Sequence, residues 1–370
     1  MPNNRYNDYE EIQMGSRKQA ARSNRDIYSS SSRGVPSSYS DISSKSSTQK
    51  KNPNRRKKKK KHTFLKVMLI ILLIIALALG GIYAYAYSVI NKIERAELDR
   101  DNLGIVTNDY DGVKNIALLG IDSREDSEIG RADAVLVLSV DKNNNKIKLT
   151  SIARDSYMEI EGHGADKLTH AYAYGRSELT VKTLNQNLSL EINDYVMVNF
   201  YGFSHIIDYV GGVTVEVDDK ELRELNRNIM PYTAKEMGVE SQPVSNAGVQ
   251  KLNGLQALCY ARIRHIDDDI ERGNRQKEVL SALLSSVKNI NPLNLPELAK
   301  MIMAECKTSL KPDDIMSMGI WAVIRSPELV QHSLPNDDIK AEGKTVGGKW
   351  VYYYDLDVAK ENLKKFILEK

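Results

Sequence analysis

Hydrophobic patterning divides the chain into an unpatterned start, one long apolar run, and a region in which short apolar runs alternate with helical periods. Residues 1–66 are rich in Ser, Asn, Arg and Lys, with low-complexity patches at 29–32 and 43–47. So little apolar surface cannot offset the entropy of ordering, so this part predicts a disordered tail. Val67 to Tyr87 is apolar almost throughout, and no charge stands between Lys66 and Lys92. A run longer than the roughly 20 residues that cross a bilayer predicts one transmembrane helix at 67–87. Tyr83, Tyr85 and Tyr87 would form an aromatic belt at its far end. Residues 88–111 read as a polar helical stalk or linker.

From Gly112 the pattern is α/β. Val113–Gly120, Ala132–Val140 and Lys146–Ile152 read as buried strands, and Asn143-Asn144-Asn145 turns the second into the third. Helical stretches at Lys167–Tyr174 and Ser177–Asn187 precede a strand at Tyr195–Asn199 and a helix at Phe200–Tyr209. Gly211-Gly212 turns into the strand Val213–Val217, after which 218–249 is polar and weakly periodic and predicts an irregular excursion. Helices follow at Arg275–Val287, Pro296–Ala304, Pro312–Val323 and Val358–Leu368, with strands at Leu329–Leu334 and Lys349–Tyr354. This alternation predicts one layered α/β domain over 112–370, a central mixed β-sheet flanked by helices.

Charge sets the expected orientation. Residues 1–66 hold 17 basic and 5 acidic residues, against 35 basic and 44 acidic in the remainder. The positive-inside rule then puts the N-terminus in the cytoplasm and 88–370 outside the cell membrane. A cleavable signal peptide is the rival, but the basic lead is long and Leu79–Ala86 is a weak cleavage pattern. The run Arg55–Lys61 abuts the span and serves topology, so no nucleic-acid partner is expected. Cys259 and Cys306 are the only cysteines, lack zinc-ligand spacing and read as unpaired buried thiols.

The densest candidate chemistry is Ala261 to Gln276, where sixteen residues hold four arginines and four carboxylates. Arg262 and Arg264 share a face on an extended segment, and Arg272, Arg275 and Gln276 share one on a helix. Guanidinium forks aimed at one point suit carboxylate or phosphate. Three upstream β segments end in similar pairs: Asp122 and Arg124, Arg131 and Asp133, Arg154 and Asp155. Ligands commonly bind where strands of an α/β sheet end. Gathered arginines call for a multiply charged anion such as pyrophosphate, and interleaved carboxylates for a hard cation. Mg²⁺ held by Asp122 and Asp133 meets the second demand, and the pair of ions points to phosphoryl-group chemistry. No P-loop is present, and Ser151 lacks a nucleophile elbow.

These segments resemble the LytR-CpsA-Psr family of cell-wall glycopolymer ligases. The resemblance lies in Asn115–Arg124, Arg131–Ala134, Ser151–Tyr157, Asp166–Gly175, Asp208–Val213, Leu252–Leu258 and Arg262–Gln276, matching in order and spacing. It implies an α/β domain with an apolar tunnel for a polyprenyl chain and a charged mouth for its pyrophosphate. The implied activity moves a lipid-linked glycan, as a phosphodiester, onto peptidoglycan with Mg²⁺, releasing polyprenyl phosphate. By motif, Asp122 and Asp133 would hold the metal. Arg124, Arg154, Arg262, Arg264, Arg272 and Gln276 would grip the pyrophosphate, with Arg275 and Lys167 as further contacts. Asp155 and Asp269 are the candidate bases. Two departures stand out: Ala153 where the family usually has proline, and Arg176 where a second glycine is common. Alternatives of another class remain at this point: a lipid-binding regulator without turnover, a transcriptional attenuator, or a lipid pyrophosphatase.

Overall fold

The computed structural model describes residues 59–91, 95, 98–106, 109–122, 130–267, 269–288, 290–291 and 294–369. The expected tail therefore lies outside the described residues as far as 58. Helix α1 (Lys59–Ile90) contains the apolar run, and Met68 to Ile74 are exposed on it. Several α1 side chains lie outside the described residues, and among the described residues no helix is long and apolar enough to cross a membrane. In the stretch read as a helical stalk or linker, α1 runs on to Ile90, and beyond it the helical part among the described residues is a 3₁₀ turn at Arg100–Asn102. Leu103 and Tyr110 are buried in the main core, so apolar burial overrides the polar pattern of this stretch.

Strands β1 (Val113–Ile121), β2 (Ala132–Asp141) and β3 (Lys146–Ile152) form where near-continuous apolar runs were read, an antiparallel meander buried on both faces. A small hairpin, β4 (Tyr157–Ile160) with β5 (Gly164–Lys167), leads into α2 (Leu168–Leu188). Next come β6 (Ile192–Asn199), α3 (Phe200–Tyr209) and β7 (Val213–Val217). After the segment 218–247, β8 (Gly248–Leu252) pairs with β7. Helices α4 (Asp219–Glu224) and α5 (Met230–Met237) lie within that segment. The C-terminal part runs α6 (Gly254–Ala261), α7 (Asp269–Lys288), α8 (Leu295–Glu305), β9 (Cys306–Thr308), α9 (Pro312–Arg325) and β10 (Glu328–Leu334). A hairpin of β11 (Glu342–Val346) and β12 (Lys349–Tyr353) precedes α10 (Leu356–Leu368).

The main sheet has the order β10-β3-β2-β1-β6-β9 and is mixed: β10 with β3 and β1 with β6 are parallel, the other pairs antiparallel. Period-two alternation sends Leu119, Ile121, Val135 and Val137 to one face, where they pack with Val181 and Leu184 of α2 and Leu363 and Ile367 of α10. The second core, on Ile207, Val213, Leu225, Met230, Leu252 and Val279, joins α3, β7, β8 and the helices around them.

The excursion at 218–249 is helical over 219–237, contrary to expectation, and irregular from 238 to 247. Asp218 and Glu221 form a capping box that starts α4, and the chain then widens into a π turn at Leu225–Ile229 before α5. Buried Leu225 and Met230 are five residues apart because of that turn, which erases the 3.6-residue period. The two helices read at Lys167–Tyr174 and Ser177–Asn187 are both present within α2, separated by a kink at non-helical Gly175 and Arg176.

Arg176 has φ 56° and ψ −153°, a region that only glycine enters freely, at a cost of about 1–3 kcal/mol for other residues. Arg176→Gly is expected to stabilise the protein by about 1 kcal/mol in denaturant unfolding, the relief being partly offset by the freer unfolded chain.

Within β3, Lys148 is fully buried and donates to Asp141 Oδ2 at 2.7 Å and to the carbonyl of Ile367. Burial opposes the Asp141 charge, but bonds from Lys148 and Asn144 outweigh it and hold the carboxyl below its usual range. Its stabilising contribution is thus present above the unfolded pKa of about 3.9 and lost as pH falls through the folded value. Lys148→Met should cost about 3–5 kcal/mol at neutral pH by leaving Asp141 buried and unpaired. The difference from the parent should shrink in unfolding curves taken below pH 4, where Asp141 is neutralised; an unchanged difference would contradict the pairing.

Candidate functional site: an apolar cavity with a cationic mouth

Strand register brings the separate sequence blocks together. Gly120 lies opposite Ala134, Val135 opposite Ile152, and Ile121 beside Asn199, so Asp122, Asp133, Arg154 and the start of α3 share one end of the sheet. The antiparallel pairing of Val198 with Cys306 adds the start of β9.

At this end the sheet face opposite α2 and α10 is not packed solid. Leu118, Gly120, Ala134, Leu136, Val196 and Val198 line a cavity of about 860 Å³. Its other walls are Phe200, Phe203 and Ile206 of α3, Leu258 of α6, Leu280 and Leu283 of α7, and Ile302 of α8. Small residues keep the sheet side open: a Cβ on Gly120 would come 2.9 Å from that of Ala134. The α3–α6 wall closes tightly for a similar reason. A Cβ on Gly254 would meet the Ser204 carbonyl at 2.1 Å, and Gly254 N–H donates to Asp208 Oδ1 at 2.7 Å. Asn253 and Gln256 form the capping box that starts α6 there.

The mouth is charged. Among the described residues five arginines (131, 154, 262, 264 and 272) and two aspartates (122 and 133) line the cavity, with His265 and Gln276. Arg154 is ion-paired to Asp133 through Nη1, and its Nε lies 3.9 Å from Asp155 Oδ2. Arg272, mostly buried, donates through Nη2 to the Asp133 carbonyl at 3.2 Å. Arg262 caps α6 rather than lying on an extended segment. Its Nη1 donates to Thr233 Oγ1 at 3.1 Å and to Glu236 Oε2 at 3.4 Å, and its guanidinium sits 4.4 Å from the centre of the Phe200 ring. Arg264 stays exposed at the lip, and Gln276 Nε2 donates to the Ala261 carbonyl at 3.5 Å. The arginines are thus held at different depths around one opening.

Other residues singled out from the sequence sit elsewhere. Arg275 does not line the cavity: both terminal nitrogens meet Asp267 at 2.6 Å, and they also reach Glu221 and the Ile263 carbonyl. Burial works against its charge, but Asp267 and Glu221 raise its proton affinity above normal. Lys167 and Asp155 also stand behind the mouth, with the half-buried Lys167 Nζ 3.0 Å from Oδ1 of buried Asp155, a pair that backs Arg154. Arg124 and the side chain of Asp269 lie outside the described residues. Sequence reasoning missed Arg131 as a lining residue, although it stands in the same block as Asp133. It also missed Phe200, Tyr232 and Thr233, which reach the cavity through tertiary packing. Both cysteines are free. Cys306 lines the cavity, and burial pushes its thiol up to about 12, which keeps it protonated and inert.

Comparison with known proteins joins this geometry to a family. Residues 81–367 match the LytR_cpsA_psr family model. The chain belongs to the LytR-CpsA-Psr family. The likeness read from the sequence blocks is thereby borne out. A relative from Bacillus subtilis strain 168, the polyisoprenyl-teichoic acid–peptidoglycan teichoic acid transferase TagT, is 30% identical over 305 residues, covering 79% of this chain and 89% of its own. The transferase TagU of Bacillus mycoides is 33% identical over 298 residues, covering 77% and 90%. Among solved structures, the family protein YwtF (TagT) with bound octaprenyl pyrophosphate lipid superposes with a TM-score of 0.55 at 27% identity, covering 74% of this chain and 99% of that one. In this chain Arg262, Arg264, Arg272 and Gln276 form one lip of the opening, and the strand ends with Asp122, Asp133 and Arg154 form the other.

Two arginines of that segment should separate by experiment. Arg275→Ala is expected to lose about 2–4 kcal/mol of stability, because Asp267 and Glu221 lose a mostly buried partner. Arg264→Ala should change stability by less than about 0.5 kcal/mol, as an exposed side chain without a structural bond. Thermal melts compare them directly, and equal losses would contradict this division.

Proposed function

We propose that this chain transfers a glycopolymer from a polyprenyl-pyrophosphate carrier onto peptidoglycan, releasing polyprenyl phosphate. The observation that carries the reading is one cavity with an apolar depth and a mouth of five arginines and two aspartates. A polyprenyl pyrophosphate has the same two-part chemistry, a long apolar chain ending in concentrated negative charge. The named relatives are teichoic acid transferases, and one related structure holds octaprenyl pyrophosphate.

In the proposed reaction an acceptor hydroxyl oxygen bonds to the glycan-side phosphorus while the bridging P–O bond breaks. The electron pair leaves with polyprenyl phosphate, whose freed oxygen takes up the proton that the hydroxyl gives up. Negative charge grows on the departing phosphate, where preformed cationic donors act most strongly. Arg154 and Arg272 are braced by Asp133, so they need little reorganisation to meet that charge. Arg262 is fixed against Phe200 and Thr233, and Arg264 approaches from the lip. Lys167 and Asp155 act as positioning residues behind Arg154.

Mg²⁺ belongs to the same proposal. Asp122 and Asp133 give the mouth two hard carboxylate donors, a set that fits Mg²⁺ once phosphate oxygens and water complete it. Bound there, the ion would neutralise phosphate charge. Among the described residues no group of three or more His, Cys, Asp or Glu could hold a metal, and in this proposal phosphate oxygens and water supply the remaining ligands.

The domain is further read as anchored outside the cell by a single span at 67–87, with the N-terminus in the cytoplasm. What supports this is the uncharged run between Lys66 and Lys92 and the excess of basic residues before it.

The full chain in detergent should move a lipid-linked glycopolymer onto peptidoglycan fragments, and chelation should stop transfer until Mg²⁺ is restored. Arg262→Ala/Arg264→Ala should slow transfer about 10²–10³-fold. Undiminished turnover by that double variant would remove the mouth from the mechanism.

A further inference from the structure

Next to the mouth, a second depression of about 440 Å³ is lined by Lys220, Arg223, Glu224, Arg227, Asn228 and Ile266. The π turn forms the partition between it and the main cavity. Ile229 faces the cavity, while Arg227 and Asn228 face the depression. The two openings are one contact apart, since His265 lines the cavity and its Nδ1 lies 3.2 Å from Glu224 Oε1, which lines the depression.

The charge balance in the depression is uneven. Lys220, Arg223 and Arg227 are exposed, and among the described residues none of them has a hydrogen-bonded or ion-paired acid. The carboxylates nearby are engaged elsewhere. Glu224 takes His265 and Asn228, Glu221 takes Arg275 and the Asp218 N–H, and Asp218 caps α4. Asp219 does not line the depression. Like charges three and four residues apart repel when no anion separates them. The exposed Arg264 continues the same sign to the cavity lip. Arginine and lysine side chains therefore run from the mouth through Arg264 to Arg223, Arg227 and Lys220, with His265 and Glu224 between the two openings.

We propose that this depression binds the first phosphodiester repeats of a polyanionic glycopolymer where they leave the mouth. The proposal rests on the reading of the mouth as a pyrophosphate site. Guanidinium forks pair with phosphodiester oxygens, and a row of them holds a flexible polyanion without recognising its sugars. The shelf thus selects for a charged polymer over a neutral one carried on the same lipid.

The test uses the full chain in detergent with two probes, soluble poly(glycerol phosphate) and octaprenyl pyrophosphate, and neutral dextran as control. The parent should bind poly(glycerol phosphate) but not dextran, with affinity that falls steeply as salt rises. Lys220→Gln/Arg223→Gln/Arg227→Gln should bind the polymer roughly tenfold more weakly with a flatter salt dependence. Its octaprenyl pyrophosphate affinity should be unchanged, which also reports that the variant is folded. Arg223→Lys/Arg227→Lys should keep most of the polymer binding. The proposal is overturned if the parent ignores the polymer, if the triple variant binds it as the parent does, or if both ligands are lost together. Failure of the parent to bind octaprenyl pyrophosphate would instead remove the functional reading, and the polymer arm would still judge the shelf.

Discussion

The constraint on which this molecule turns is that one face of its central sheet is apolar and yet not packed solid. A dry void of 860 Å³, at ~24 cal/mol per Å³, would cost on the order of 20 kcal/mol. That exceeds the ~5–15 kcal/mol by which a domain is stable. A cavity of this size is therefore sustainable only if it is open to an occupant, and apolar walls favour an apolar one. The opposite face, packed against α2 and α10, supplies the rigidity that lets the first face stay open. Gly120 and Ala134 keep the opening wide where larger side chains would fill it.

The charged mouth depends on the same sheet. Strand register places Asp133 and Arg154 within an ion pair although they are 21 residues apart. Arg272 arrives from a helix 139 residues farther on and bonds to the Asp133 backbone. Such groups are expensive to gather in low dielectric unless a counter-charge completes them, which is the situation a bound pyrophosphate meets. Not every arginine of the segment serves that end. Arg275 holds the α6–α7 junction in shape through Asp267 and Glu221, so its neighbours can face the opening.

Much of this was legible in the sequence. Buried strands announce themselves as apolar runs, so β1, β2 and β3 were read almost to the residue, and Asp122, Asp133 and Arg154 followed from their ends. The excursion at 218–249 was not legible, because the π turn breaks the spacing by which an amphipathic helix is recognised. Arg275 was indistinguishable from Arg272 in sequence, since both lie on one helical segment. Only packing reveals that one meets Asp133 and the other Asp267. Arg262 illustrates a different limit. Alternation on an extended segment paired it with Arg264, whereas a helix cap and the Phe200 ring decide where it points. Chemistry was readable from residue types, and partner choice was not.

The buried Lys148 has a consequence for the order in which the molecule is made. Its bond to the Ile367 carbonyl joins residues 219 positions apart. Synthesis runs from the N-terminus, so β1, β2 and β3 exist well before the helix that covers their inner face. Until then Lys148 lacks its Ile367 acceptor, and the apolar side of the meander has α2 but not α10 as its cover. Long-range closure of this kind is slow and leaves the nascent sheet exposed. The domain is thus closed by α10, and a nascent chain that lacks this helix holds an unlatched sheet.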